Sequence, residues 1–336
     1  MKNKVGKILV FILCLLIILP FSSCKKGEAP DEAAMVYKNV YTSEAFYSYW
    51  ISCHKYDFLE NFNKGVNSED FWNSDVAEGK TYGQFTTDYV MQDVKNRTVA
   101  LWLFDQYGLT LSKSVQTGID NDIKEKIEYY GSREALNKDL AKFNMNIDML
   151  REVYVNNAKY DILIEYLYSD KGTEAPTDSE KAEFLKDNYI CIKMISVFAE
   201  DYDALLEKIE AGEDFDELCA EYSEIDYSAY PNGIFIYNGD SASESEIVKA
   251  AFSLEVGEMK TVTNAGTEIV VLRCEMPLYS ALSQNERELL TNDGFENNII
   301  TEKKNTKFEE YIADVKVNTE ITDKYPIESV SRNSYF

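Results

Sequence analysis

The sequence predicts an α+β protein, with helices along most of the chain and a small antiparallel sheet in its second half. Apolar residues recur at three- and four-residue intervals between residues 43 and 169, which is typical of amphipathic helices. Strand-like apolar runs cover residues 189–197, 259–263 and 268–274, with helical segments around them. A charged helix is predicted over residues 283–315, with a break near Gly294.

The first 23 residues have the pattern of an export signal. Three lysines precede the apolar run of residues 8–19, which is too short for a bilayer core that needs roughly 20 residues. Residues 21–24 resemble the lipobox of bacterial lipoproteins, although Phe21 stands where that family usually has Leu. The resemblance implies acylation at Cys24, a lipidated tether over residues 24–34, and anchoring on the extracytoplasmic side of a bacterial cell membrane. The alternative is an ordinary signal peptide with an incidental Cys24.

The chain is strongly acidic, with a formal net charge of −25. Removal of the signal segment takes away three lysines and makes the remainder still more acidic. Because phosphate binding needs a basic surface, we expect no nucleic acid partner. The acidity indicates either a solvated, self-repelling surface or a preference for basic polypeptide segments or cations. No pattern in the sequence specifies an oligomeric state.

Cysteine and histidine usage argues against a metal centre. Beyond Cys24 the chain holds Cys53, Cys191, Cys219 and Cys274, with no C-x-x-C and no spacing typical of metal ligands. Exported proteins can form disulfides, but the apolar surroundings of these residues favour buried thiols. The one histidine, His54, is predicted to be structural. We therefore expect no metal and no cofactor.

Four segments of the second half resemble a parvulin-type peptidyl-prolyl isomerase domain in order and spacing: residues 205–223, 231–235, 250–262 and 264–272. The helical half, with its Gly-Ser-x-Glu-x-Leu element at residues 131–136 and Met149-Leu150-Arg151 leading a long helix, resembles the N-terminal domain of SurA- and PrsA-type chaperones. The resemblance implies a helical chaperone-like domain over residues 35–175 and a parvulin-like domain inserted at residues 176–277. Residues 278–336 are then a C-terminal helical segment that returns to the helical domain, followed by a tail.

The resemblance also locates an isomerase site, from which both family histidines are missing. Met194 and Glu268 stand at the histidine positions, Ala265 at the position of a hydroxyl residue, and Ile225 or Asp226 at that of a Cys or Asp. Substrate contacts are expected from Ile247, at the place of the pocket phenylalanine, and from Phe252 and Phe235.

Two interpretations of Glu268 remain open. It is either a remodelled acid facing Asp226 or Glu224, since paired carboxylates can raise one pKa and supply a proton donor, or a carboxylate without a catalytic task. Twisting a prolyl amide means crossing a barrier of about 18–20 kcal/mol, so a site without its hydrogen-bonded network is expected to have little isomerase activity.

Aromatic residues crowd the start of the mature chain. Helical spacing assigns most of them to the core, and the others are candidates for lining a cleft that holds unfolded segments: Tyr41, Phe46, Tyr47, Tyr49, Trp50, Tyr56, Phe58, Phe62, Phe71 and Trp72. The predicted function is a membrane-anchored extracytoplasmic folding factor that binds unfolded, newly exported polypeptides. The alternatives are an active isomerase with a rebuilt site and a non-catalytic scaffold lipoprotein for one envelope partner.

Overall fold

The computed structural model describes residues 30–77, 79–239 and 245–333, so Cys24 and the export signal lie outside the described residues. The chain divides into two compact units, Met1–Lys159 with Asp314–Phe336, and Tyr160–Ala313. Helices combine with antiparallel strands in both units, which confirms the predicted α+β class.

The first unit is mainly helical. Its helices are α1 (Glu44–Asn63), α2 (Glu69–Asn73), α3 (Tyr82–Gln106), α4 (Lys113–Tyr130), α5 (Arg133–Leu140), the first part of α6 (Ile147–Tyr168) and, near the C-terminus, α13 (Thr319–Thr322). Its strands are β1 (Ala33–Tyr37), β2 (Val40–Ser43), β3 (Asp75–Ala77), β4 (Lys80–Thr81) and β9 (Lys316–Val317). Strands β2, β1 and β9 form one sheet in that order, and β3 pairs with β4.

Hydroxyl side chains fix where these helices begin. Ser43 Oγ accepts a hydrogen bond from the backbone N of Phe46 at 3.2 Å, and Thr81 forms a capping box with Gln84. Ser112 caps α4, since its Oγ accepts from the backbone N of Val115 at 3.2 Å. Helix α4 ends at Tyr130, and the capping residue Gly131 has φ +83°, a conformation that suits glycine.

Two short strand pairs were not predicted. Within residues 43–169, where the sequence predicts helices, β3 and β4 form a hairpin. Strands of three and two residues are too short for an alternating pattern to appear in the sequence. Strand β1 likewise begins at Ala33, within the segment 24–34 expected to be a tether, and Ala34 is fully buried.

The second unit is built on a four-stranded antiparallel sheet with the order β6-β5-β8-β7. Its elements are α7 (Asp178–Asn188), β5 (Tyr189–Phe198), α8 (Ala199–Glu210), α9 (Phe215–Tyr222), β6 (Ile234–Tyr237), α10 (Glu246–Ser253), β7 (Met259–Asn264), β8 (Thr267–Cys274), α11 (Gln284–Asn292) and α12 (Phe295–Ile312). The predicted strands β5, β7 and β8 are confirmed. A capping box formed by Thr177 and Glu180 opens α7. Strand β6 was not predicted.

Side chains alternate between the two faces of this sheet. On what we call the α9 face, Ile195, Val197 and Val270 pack with residues of α8 and α9. On the other side, the α10 face, Ile190, Ile192, Ile269 and Val271 pack with Ala251 of α10. Because cross-strand partners share a face, the register of β5 with β8 shows, for each paired residue, whether its side chain lies on the α9 face or on the α10 face.

The helices α11 and α12 also belong to the second unit. Leu290, Phe295 and Ile299 share a buried cluster with Phe184 of α7 and Tyr189 of β5. The division of the chain thus groups residues 278–313 with the sheet and residues 314–336 with the helical unit. The sequence interpretation had instead treated residues 278–336 as one segment returning to the helical domain.

Candidate functional site

Three of the predicted site residues, Met194, Ile247 and Phe252, lie together on the α10 face. They are half-buried and pack around the buried cluster of that face, which includes Ile192 and Val271. The thioether of Met194 adapts readily to an irregular apolar partner. This surface offers hydrophobic contact to an apolar ring, as a substrate-binding surface for proline would need.

Glu268 lies on the opposite face of the sheet. It pairs with Val197 across the β5–β8 ladder, and Val197 packs on the α9 face, whereas Met194 pairs with Val271 on the α10 face. Its Oε2 accepts a hydrogen bond from Thr263 Oγ1 at 2.9 Å. The expected convergence of Met194 and Glu268 on one concave surface is therefore not found, and their catalytic roles stay predictions.

The other two predicted catalytic positions are exposed. Ala265 occupies the β7–β8 turn with φ +50°, a strained conformation for a residue with a Cβ. Asp226 accepts hydrogen bonds from the backbone N and the Oγ of Ser228, at 3.0 Å and 2.5 Å. These bonds hold the pKa of Asp226 below its usual range, so the carboxylate favours its charged form and would be a poor proton donor.

Phe235 is separated from Ile247 and Phe252 by the sheet. It pairs with Cys191 in the β5–β6 ladder and is buried in the cluster that contains Phe184 and Leu290. A side chain so enclosed is part of the core rather than a surface available to a substrate. The expectation that Phe235 binds substrate together with Ile247 and Phe252 is not supported by this arrangement.

Two hydroxyl groups replace a neighbouring strand where β6 ends. Strand β6 pairs with β5 only as far as Ile192. Beyond it, the backbone N of Met194 donates to Tyr227 Oη at 2.8 Å, and Ser223 Oγ donates to the carbonyl of Met194 at 3.2 Å. These bonds satisfy strand groups that would otherwise be unpaired, and they fix the loop that carries Asp226 against the strand.

The same loop borders a cleft of about 460 Å³, whose lining includes Lys193, Asp216, Cys219, Tyr227 and Asp226. Lys193 is buried, and its Nζ lies 2.5 Å from Asp216 Oδ1 and 5.9 Å from the centre of the Tyr227 ring. Lys193 and Tyr227 are not among the site residues that the sequence predicts. A lysine inside the apolar run of residues 189–198 is the signal that would have pointed to Lys193, since a buried ammonium needs a partner.

Most aromatic residues near the start of the mature chain belong to the core of the first unit, as their helical spacing indicated. Phe46, Tyr47, Tyr49, Trp50, Phe71 and Trp72 are buried, whereas Tyr41, Tyr56 and Phe58 are half-buried and Phe62 is exposed. The question of a polypeptide-binding surface therefore concerns the side chains of this group that remain accessible, above all Phe58 and Phe62.

Phe58 and Phe62 are part of a larger aromatic surface on α1 and α3, which we call the aromatic strip: Phe58, Phe62, Tyr82, Phe85 and Tyr89. The ring centre of Phe58 lies 5.4 Å from that of Phe62, 6.1 Å from Phe85 and 5.9 Å from Tyr89. Phe62 is 58% exposed, Tyr89 49% and Phe85 37%. Contiguous exposed rings of this kind are typical of interaction surfaces.

His54 lies at one end of the strip, in a polar cluster of the first unit. Its ring centre is 5.2 Å from that of Tyr89, and its Nε2 is 3.5 Å from Asp93 Oδ2. Asp93 also accepts a hydrogen bond from Arg97 Nε at 2.8 Å. Although burial opposes ionisation of Asp93, hydrogen bonds from His54 and Arg97 lower its pKa. His54 thus contacts both Tyr89 and Asp93 within the unit, in keeping with the structural role predicted for it.

Two properties of the described residues bear on partners. Within residues 30–77, 79–239 and 245–333, no three His, Cys, Asp or Glu side chains are grouped so as to hold a metal ion. In the same part of the chain, no helix combines the length and apolar character needed to cross a membrane.

Sequence comparison finds two curated proteins, both named Foldase protein PrsA. The one from Halalkalibacterium halodurans is 27% identical over 187 residues, which cover 50% of this chain and 55% of that protein. The one from Oceanobacillus iheyensis is 26% identical over 308 residues, which cover 83% of this chain and 97% of that protein. The match thus spans about half of the first relative and almost all of the second.

No family model matches the chain. Among solved structures, PrsA from Bacillus cereus aligns over 79% of this chain and 100% of its own, at 16% identity and a TM-score of 0.27. PrsA from Bacillus subtilis aligns over 77% of this chain and 93% of its own, at 19% identity and a TM-score of 0.26. The relationship is therefore one of sequence, and the two foldase proteins support a PrsA/SurA-like foldase family for this chain.

Proposed function

We propose that this chain is a membrane-anchored extracytoplasmic folding factor that binds unfolded segments of newly exported polypeptides. The export signal, the lipobox-like residues before Cys24 and the two foldase relatives support this proposal. The observation that carries it is the aromatic strip, because it gives the first unit an accessible apolar surface in addition to its buried core.

The chemistry of the strip suits an extended polypeptide. Aromatic rings bury a large apolar area and contribute about 0.5–1.5 kcal/mol per ring pair beyond that area. Such contacts are tolerant of sequence, as a factor serving many clients requires. Asp57 on α1 stands between the rings along the chain and favours segments that mix apolar with basic residues, whereas Glu60 and Asp88 already pair with Arg332 and Lys80.

We further propose that isomerase activity is weak or absent. The two histidine positions of the parvulin motifs hold Met194 and Glu268, which lie on opposite faces of the sheet. The active isomerase remains a second candidate because Met194, Ile247 and Phe252 form an apolar surface that could hold a proline ring. Exchange of an X-Pro peptide well above background, abolished by Glu268→Ala, would support the enzyme. No acceleration would favour binding alone.

The test of the main proposal is suppression of aggregation of unrelated, chemically unfolded proteins. The wild-type protein should suppress it, and a variant carrying Phe62→Ser and Phe85→Ser should lose most of the effect. Tyr129→Ser is the matched control, because Tyr129 is an aromatic residue that is 86% exposed on α4, apart from the strip.

Three outcomes separate the possibilities. Suppression by the wild type and the control, but not by the strip variant, supports client binding through the strip. Equal suppression by all three proteins would refute the strip as the binding surface. A wild-type protein that suppresses no aggregation would favour the scaffold for a single envelope partner. Anchoring is tested separately, since Cys24→Ser should abolish labelling by palmitate and release the protein from the membrane fraction.

A further inference from the structure

Cys191 and Cys274 stand directly opposite each other on the antiparallel strands β5 and β8. They form the last pair of the ladder, next to the end of β8, and because cross-strand partners share a face, both side chains point to the α9 face. The sequence places these two residues far apart, and only the register brings them together.

The backbone pattern shows which kind of pair they form. Arg273 bonds through both its N and its carbonyl to the chain at Glu258 and Gly257, on the β7 side. Neighbouring residues of a strand direct their backbone N–H and carbonyl groups to opposite sides. The N–H and carbonyl of Cys274 therefore point toward β5, and Cys274 forms a hydrogen-bonded pair with Cys191. Such pairs have Cα atoms about 5.5 Å apart, which is a usual Cα separation for a disulfide, and closing the bond requires the two Cβ atoms to approach to about 3.8 Å.

The two thiols interact, and their surroundings differ. Both are free in this structure, Cys191 being buried and Cys274 half-buried. The Sγ of Cys191 donates to the carbonyl of Asn232 at 3.1 Å. The interaction with the neighbouring thiol lowers the pKa of Cys274 and raises that of Cys191. The more accessible sulfur is therefore also the one that ionises first, as an attacking thiol should.

We propose that Cys191 and Cys274 are a redox-active pair that closes to a cross-strand disulfide on exposure to a small-molecule disulfide or a thiol oxidase. The Cys274 thiolate attacks one sulfur of the donor disulfide and forms a mixed disulfide, releasing the first donor half as a thiol. The Cys191 thiolate then attacks Cys274 Sγ and expels the second half. The protein loses two protons and two electrons, and the donor is reduced to two thiols.

The bond would close the segment 191–274, which contains α8, α9, β6, α10 and β7. Closing so long a loop restricts the unfolded chain strongly, so the oxidised second unit should be more stable than the reduced one. The relevance of this pair in the cell rests on the extracytoplasmic location proposed above, where oxidants are present. The chemistry itself is testable on the purified protein, so a failure of either proposal can be told from a failure of the other.

The experiment uses the full chain in detergent, with oxidised glutathione as the donor and dithiothreitol-treated protein as the reference. We expect the loss of two hydrogen atoms by mass spectrometry and a crosslinked peptide that joins Cys191 to Cys274. The midpoint of thermal unfolding should rise by several degrees relative to the reduced protein. Cys219→Ser, which removes another buried thiol on the same face, should leave both results unchanged.

Two further variants make the assignment specific. Cys191→Ser should leave Cys274 carrying glutathione, because the resolving thiol is missing, and Cys274→Ser should leave Cys191 unmodified in the folded protein. Should Cys191→Ser fail to fold, Cys274→Ser alone still decides, since it changes the half-buried partner. Full alkylation of both thiols after oxidant treatment, or a crosslink to Cys219 or Cys53 instead, would overturn the proposal.

Discussion

Glu286 is a fully buried carboxylate that ties α11 to the loop before β6. Its Oε1 accepts a hydrogen bond from the backbone N of Asn232 at 2.8 Å. Its Oε2 accepts from Asn232 Nδ2 at 3.0 Å and from the backbone N of Ser283 at 2.8 Å, which closes a capping box. The loop held in this way leads through Gly233 into the edge strand of the sheet.

We predict that Glu286→Ala destabilises the second unit by about 4 kcal/mol. Two partly buried backbone N–H groups, of Asn232 and Ser283, lose their acceptor at about 1–3 kcal/mol each, and the unpaired side-chain amide of Asn232 adds to this. Glu286→Gln should cost about 1–2 kcal/mol, because one oxygen is kept while the new NH₂ group meets other donors. The matched control is Glu288→Ala, an exposed carboxylate of the same helix that accepts from Gln284 Nε2 at 2.9 Å.

The assay is hydrogen exchange resolved by mass spectrometry on peptides from β5 and β8. A loss of 4 kcal/mol corresponds to roughly a thousandfold faster exchange of the amides that open only on unfolding of the unit. The control should leave these rates nearly unchanged. The reasoning would be refuted by equal exchange in Glu286→Ala and Glu288→Ala, or by a Gln variant as unstable as the Ala variant.

Three more predictions concern single contacts. Gly233→Ala should lower the stability of the second unit by at least about 3 kcal/mol, because a Cβ at φ +120° would meet the carbonyl oxygen of Ile192 at 2.4 Å. Gly257→Ala, with φ +86° and open space around the Cβ, should lower it by about 1–2 kcal/mol. Similar hydrogen-exchange rates in the two variants would contradict this prediction. Tyr227→Phe should cost about 1–2 kcal/mol and speed exchange at the Met194 amide, and an unchanged rate there would show that the hydroxyl is dispensable. Burial lowers the pKa of Lys55 from 10.5 to about 8. The free-energy cost of burying the charged ammonium is therefore full below pH 8 and disappears as the pH rises toward 10.5. The free energy of unfolding of the first unit should therefore rise by roughly 2 kcal/mol between pH 8 and 10. Denaturation followed by tryptophan fluorescence measures this, because the first unit holds all three tryptophans. A Lys55→Met variant that shows the same rise would rule out Lys55 as its source.

Much of the secondary structure could be predicted because its causes are local. At Ser112 and Thr177 a side-chain hydroxyl accepts from a backbone N of the first helical turn, and helices α4 and α7 begin directly after these residues. The sequence does not predict the short strands β1, β2, β3, β4, β6 and β9, because runs of two to five residues carry too little alternation. Their formation depends on pairing with other strands, which the residues of the strand itself do not specify.

The candidate site was only partly predictable. Motif spacing singled out Met194, Ile247 and Phe252, which do lie together on the α10 face. It also singled out Glu268 and Phe235, which lie on the other face. Because side chains alternate along a strand, a position in a motif fixes no face until the register with the neighbouring strand is known.

By itself, the sequence determined the α+β class, the helix caps and the acidic surface, because these depend on composition and on contacts within a few residues. Only the tertiary structure decided which residues meet: Cys191 with Cys274, Glu286 with Asn232, and the rings of α1 with those of α3. These partners are remote in sequence, and burial and register, which bring them together, are properties of the whole packed unit.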